Sequence, residues 1–98
     1  MKRLRLDSAA RAEFLHETSY YEATRPGTGK KFREAIDTAF KLVNCSPNRG
    51  KQDEEGCRRV RIAGFPFSVV YREEKTEIVV YAIRPDAREP GYWVPRAQ

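Results

Sequence analysis

The side chains best suited to chemistry in this 98-residue chain are arginines set at alternate positions. In the run Cys57-Arg58-Arg59-Val60-Arg61, Arg59 and Arg61 share one face of an extended segment, opposite Val60 and Ile62. They are about 7 Å apart along the strand. That is close to the spacing of successive phosphates, and a guanidinium fork grips phosphate oxygens in pairs. Arg84 and Arg88 follow the last apolar run and could join them. Two readings are open: a solvated sheet face, or a basic surface that meets something negative. Gly91-Tyr92-Trp93, after Pro90, is the second candidate. These aromatics either fold back to cap a core or form a contact surface, because Tyr and Trp supply much of the energy at interfaces.

Other chemistry finds little support. Ser46 and Ser68 have no histidine near them in sequence, and no carboxylate sits in an evident apolar pocket to act as general acid or base. Gly27-Thr28-Gly29 opens a helix but follows a helix, so it reads as a turn and not a phosphate loop. Cys45 and Cys57 read as reduced structural thiols. With His16 the only histidine, no zinc site is expected, nor any other metal or cofactor.

Four strands and two helices are expected to carry these residues. Lys2–Leu6 alternates basic and apolar residues, a short strand. Asp7 or Ser8 can cap a helix whose inner face holds Ala10, Phe14, Thr18 and Tyr21 and which stops at Pro26-Gly27. Thr28 can cap a second helix, with Phe32, Ile36, Ala39 and Val43 inward, ending near Pro47. Residues 47–56 read as a polar loop. The period then becomes two: Arg59–Ile62, then Phe67–Arg72, then Ile78–Ile83, joined by turns at Gly64 and Glu73–Thr76. In the last run Ile78, Val80 and Ala82 alternate with Val79, Tyr81 and Ile83; being apolar on both faces, it belongs inside the sheet. Residues 85–98 read as an irregular tail. The order β-α-α-β-β-β implies an α+β fold, a helical hairpin packed on one side of a mainly antiparallel sheet.

Length allows one domain, 1–98, small enough to gain stability from a tight partner. The net charge of +5 is uneven: residues 1–50 carry ten basic and six acidic side chains, residues 51–98 nine and eight. The mild excess suits an acidic protein or a nucleic acid. No apolar run approaches a membrane span and no secretory signal opens the chain, so a soluble, cytoplasmic protein without a membrane or small-molecule partner is expected.

Several segments together resemble the ParE/RelE toxins. In the first half these are Tyr20-Tyr21-Glu22, Arg25–Gly29, a Phe-bearing helix and Asn44–Asn48. In the second they are Arg58–Arg61, Phe65–Arg72, the strand Ile78–Ile83 and the ending Arg88-Glu89-Pro90-Gly91-Tyr92-Trp93. The resemblance implies the toxin of a bacterial type II toxin–antitoxin module, held inactive by an antitoxin whose partly disordered segment wraps its sheet and helices. RelE-like members cleave mRNA in the ribosomal A site, and ParE-like members poison DNA gyrase. A RelE-like ribonuclease site would fall on Arg59, Arg61, Arg88 (Arg84 if the register slips) and Tyr92. Its further phosphate-binding arginine falls on Ser68, which cannot neutralise a phosphate, and this departure favours the ParE-like branch. Target or antitoxin binding would then use Arg58, Arg59, Arg61, Arg84, Tyr92 and Trp93. A non-toxic, antitoxin-binding module of the same fold is the third possibility.

Overall fold

The computed structural model describes residues 2–98. Strand β1 (Arg3–Leu6) leads into helix α1 (Ser8–Thr24) and helix α2 (Thr28–Cys45). Strands β2 (Lys51–Gln52), β3 (Arg58–Arg61), β4 (Phe67–Glu73) and β5 (Glu77–Pro85) follow, then a short helix α3 (Val94–Ala97). The five strands form one sheet in the order β1-β5-β4-β3-β2. β1 runs parallel to β5 and the remaining pairs are antiparallel, so the sheet is mixed. The α+β hairpin-on-sheet architecture is as expected. β2 lies inside what reads as loop, and α3 inside what reads as irregular tail.

The hairpin is built as its periodicity dictates. Asp7 caps α1 by accepting from the Ala9 amide at 3.1 Å. On α2, Phe32, Ile36, Ala39 and Val43 are all buried. The cap of α2 differs from expectation: Gly27, at φ 91°, is the N-cap and Thr28 is the first helical residue. Gly27 has no side chain to offer, so the Glu22 carboxylate of the preceding helix accepts from the amides of Gly27 (3.1 Å) and Gly29 (3.2 Å) instead. At Gly29 a Cβ would come within 2.8 Å of the Thr18 carbonyl oxygen, so the two helices can close this tightly only over glycine.

The sheet is covered on both faces. On the front, Ile36, Ile62, Val69, Tyr71, Ile78, Val80 and Ile83 form the main core under the helices, with a Tyr21–Phe32–Phe65–Phe67 aromatic cluster at one end. On the back, Cys57, Val70, Val79, Tyr81, Ala82, Trp93 and Ala97 form a second, smaller core. The tail is therefore an ordered plug. Trp93 is fully buried, which settles the two readings of the C-terminal aromatics for this residue: it fills the back core and presents no surface to a partner.

The alternation expected along the last strand breaks. Val70 pairs with Ala82 but Tyr71 pairs with Val80, leaving Tyr81 as the extra residue of a β-bulge. Both Tyr81 and Ala82 then belong to the back core, and Ile83, not Ala82, joins Ile78 and Val80 in front. The shift continues to Arg84, which it turns toward the back.

Candidate anion-binding cleft

Where the tail leaves the back face uncovered, the sheet brings three of the singled-out side chains together. Arg61 pairs with Ser68 and Ser68 with Arg84, so these residues form one row across β3, β4 and β5. Arg61 and Arg84 flank a serine too short to fill the space between them. One row along, Lys51 pairs with Arg59, two like charges directly opposite each other on the sheet edge. The result is an open cleft of about 550 Å³, lined by Lys51, Arg59, Arg61, Arg84 and Ser68, with Asp53 and Asp86 at its sides.

Two of the cations are already held. Arg59 Nη1 meets Asp53 Oδ2 at 3.1 Å, and Arg61 Nη1 meets Asp86 Oδ2 at 3.0 Å. The Arg61 side chain remains 71% exposed, so its pair is a weak one that an incoming anion can displace. Arg84 has no carboxylate partner among the described residues. It donates only a long bond, 3.4 Å, to the Arg88 carbonyl oxygen.

The remaining candidates lie elsewhere. Arg58 points to the front face, where its Nη1 donates to the Gly50 carbonyl at 2.9 Å and secures the β2–β3 connection. Arg88 lies over the Tyr92 ring, its guanidinium carbon 3.9 Å from the ring centre, and pairs with Glu89. The Tyr92 hydroxyl donates to Glu13 Oε2 at 2.7 Å. Burial and that bond to a carboxylate push the phenol pKa well above its ordinary value, so Tyr92 keeps its proton near neutrality. The set Arg59, Arg61, Arg88 and Tyr92 is thus divided: the first two line the cleft, Tyr92 is fastened to Glu13 of α1, and Arg88 lies over the Tyr92 ring. His16 is exposed on α1 and is not among the cleft's residues.

Three residues central to this arrangement were not singled out from the sequence. Lys51 and Asp53 sit in what reads as loop, and Asp86 follows the strand behind Pro85. Glu13 is a fourth, at the centre of the latch: its carboxylate accepts from the Ile83 amide (3.0 Å), the Tyr92 hydroxyl and both terminal nitrogens of Arg96 (2.9 and 3.1 Å). Its partners are 70 to 83 residues away in sequence.

A second depression lies at the opposite edge of the sheet. Leu4, Leu6, Phe14, Leu15 and Phe40 give it an apolar floor beside β1, whose outer edge is unpaired among the described residues, and Arg3 and Arg11 stand at its rim. Leu15 is 52% exposed there.

A chain from the chromosomal ParDE TA system of P. aeruginosa superposes with a TM-score of 0.75 at 22% identity, covering 87% of this chain and 96% of that one. No curated protein sequence matches the chain. The family model described as the ParE toxin of the type II toxin–antitoxin system parDE matches residues 4–90, so the chain belongs to the ParE toxin family.

Proposed function

We propose that this protein is an antitoxin-neutralised toxin that acts by binding DNA gyrase and not by cutting mRNA. One observation carries the choice of target: the groups a ribonuclease would need do not meet. Cleavage at a phosphodiester requires a base for the attacking hydroxyl and an acid for the leaving oxygen. The cleft's carboxylates, Asp53 and Asp86, are engaged by Arg59 and Arg61, and Tyr92, the candidate proton carrier, is tied to Glu13 and is not among the residues lining the cleft. Ser68 stands where a further arginine would be required to hold the phosphate. Such a cleft binds anions without transforming them.

The antitoxin reading is supported by the depression beside β1. An apolar floor, a basic rim and a free strand edge complement an acidic segment that carries apolar residues at intervals. Leu15→Glu should weaken that complex while leaving the fold intact, since Leu15 is already half in water.

Paired assays test the target. Purified protein should inhibit gyrase supercoiling and leave ribosome-bound messages uncut, and its expression alone should arrest growth and induce a DNA-damage response that a co-expressed antitoxin relieves. Codon-positioned cleavage of translated messages, lost in Arg61→Ala, would overturn the gyrase reading in favour of the ribonuclease.

A further inference from the structure

Away from the cleft, the end of the helical hairpin gathers charge that the fold leaves unused. Between Arg25 and Arg33 the chain carries four cations, Arg25, Lys30, Lys31 and Arg33, and no carboxylate. All four are exposed, and none makes an ion pair among the described residues. Glu22, the first acid before them in the chain, is already bound to the amides of Gly27 and Gly29. One turn back from the end of α1, Tyr20 is 57% exposed. We propose that this hairpin tip is a protein-docking surface that takes an acidic patch on the target. The proposal rests on the gyrase reading and adds the surface through which gyrase is met.

The tip is built to hold its shape. The two bonds from Glu22 fix the turn, and α2 closes on the Thr18 carbonyl over Gly29, so the cations are displayed from a set backbone. The Tyr20 ring meets Tyr21 edge to face, with ring centres 5.7 Å apart. Tyr21 in turn packs on Phe32 and Phe65, each with its ring centre 5.1 Å away. The exposed ring is therefore braced by the core and has little freedom to lose on binding. Tyrosine and arginine are among the side chains that most often dominate protein interfaces. Lysines around them speed the encounter with an opposite charge and add little to residence once bound.

The shape of the tip favours a protein over a nucleic acid. A site that tracks a nucleic-acid backbone is a groove lined with cations. The end of a hairpin is convex, and none of Tyr20, Arg25, Lys30, Lys31 and Arg33 lines the basic cleft or the depression beside β1. The tip is also separate from the surface assigned to the antitoxin. Phe40, in that depression, stands twelve residues along α2 from Thr28, ~18 Å at ~1.5 Å per residue. A partner at the tip and a segment in the depression therefore use different side chains.

Kinetics separate the roles assigned to charge and ring. Binding of the full-length chain to each purified gyrase subunit, without DNA, would be followed by surface plasmon resonance across a salt series, alongside supercoiling inhibition. A short DNA duplex forms the second arm. Lys30→Glu should slow association about tenfold at low salt, with the difference shrinking as salt rises. Arg33→Glu repeats that test from the next turn of α2. Tyr20→Ala should leave association nearly unchanged and speed dissociation about tenfold. Lys75→Glu reverses one exposed charge in the β4–β5 turn and controls for net charge; it should change either rate less than about twofold. Unfolding midpoints separate lost binding from lost structure. Tip variants that bind and inhibit gyrase as Lys75→Glu does would overturn the proposal and leave the gyrase reading standing. So would an effect of charge alone, with Tyr20→Ala unchanged. Weaker duplex binding in Lys30→Glu beside unaltered gyrase binding would overturn it in favour of a nucleic-acid surface. A parent chain that neither binds nor inhibits gyrase would overturn both readings.

Discussion

Glu13→Ala probes the latch that ties the Tyr92 hydroxyl to α1. The Glu13 carboxylate ties three elements: α1, which carries it; β5, through the Ile83 amide; and the tail, through Tyr92 and Arg96. The side chains of Arg96 and Glu13 are 22% and 20% exposed, so water reaches them only in part. Breaking a fully buried ion pair costs ~3–5 kcal/mol. Discounted for that partial exposure, and allowing for the Ile83 amide and Tyr92 hydroxyl left without their acceptor, the loss is about 2–3 kcal/mol. In a domain of this size ~1 kcal/mol moves the melting temperature by ~4–8 °C, so a fall of roughly 10–20 °C is expected. The chain's single tryptophan reports the event directly. Trp93 is next to Tyr92 and fully buried, so its emission should shift to the red in Glu13→Ala at temperatures where the helices still give their far-ultraviolet signal. A double-mutant cycle with Tyr92→Phe should show coupling, since both substitutions remove the same 2.7 Å bond. A melting temperature within about 2 °C of the parent, with unshifted tryptophan emission, would refute the latch.

Trp93→Ala should destabilise by ~3–5 kcal/mol through the cavity it leaves in the back core, measured by urea unfolding; a loss below ~1 kcal/mol would mean the plug does not form. Cys45, exposed at the end of α2, should alkylate rapidly, while Cys57 reacts only on unfolding, since burial raises its thiol pKa to about 11; equal rates in native protein would contradict the back core. The same shift makes stability fall with alkaline pH. The folded thiol holds its proton where the unfolded one, ordinarily at 9.0, has lost it, so the Cys57 contribution is intact below pH 9.0 and declines through about pH 11, by ~1.4 kcal/mol per pH unit. Cys57→Ala should flatten that decline between those limits. Arg59→Glu should weaken the association with an acidic antitoxin or nucleic acid, most at low salt; a salt-independent, unchanged affinity would exclude the cleft from binding either.

The parts of this fold legible in the sequence are those set by local period. Phe32, Ile36, Ala39 and Val43 repeat at helical spacing and all are buried, and Arg59 and Arg61 alternate with apolar neighbours and do share the back face. The bulge was not legible, and the reason is specific. Val79 to Ile83 is apolar at every position, so no polar side chain marks which residue must face out, and a one-residue register change costs little in local pattern. The Glu13 latch was hidden for a different reason: a carboxylate on a helix reads as solvated until the chain is folded, and its partners come from β5 and the tail. Tyr92 and Arg88 looked adjacent to the cleft only because they follow β5 in sequence. The turn at Gly91, φ 79°, and the burial of Trp93 direct the Tyr92 hydroxyl to Glu13, and the Arg88 guanidinium lies over the Tyr92 ring and does not line the cleft.

The bulge is also what connects the fold to its site. A regular β5 would place Val80, Ala82 and Arg84 on one face, sending Arg84 under the helices with no room for a guanidinium and leaving Ile83 exposed on the back. The extra residue at Tyr81 corrects both at once: Ile83 enters the front core, and Arg84 emerges opposite Ser68, in register with Arg61. Tyr81 remains in the back core, where its hydroxyl joins Arg72 (3.1 Å) and Glu74 (3.0 Å), so the bulged position is fastened and not merely tolerated. The hydrophobic demand for a filled core and the electrostatic demand for a second cation in the cleft are therefore met by the same local irregularity.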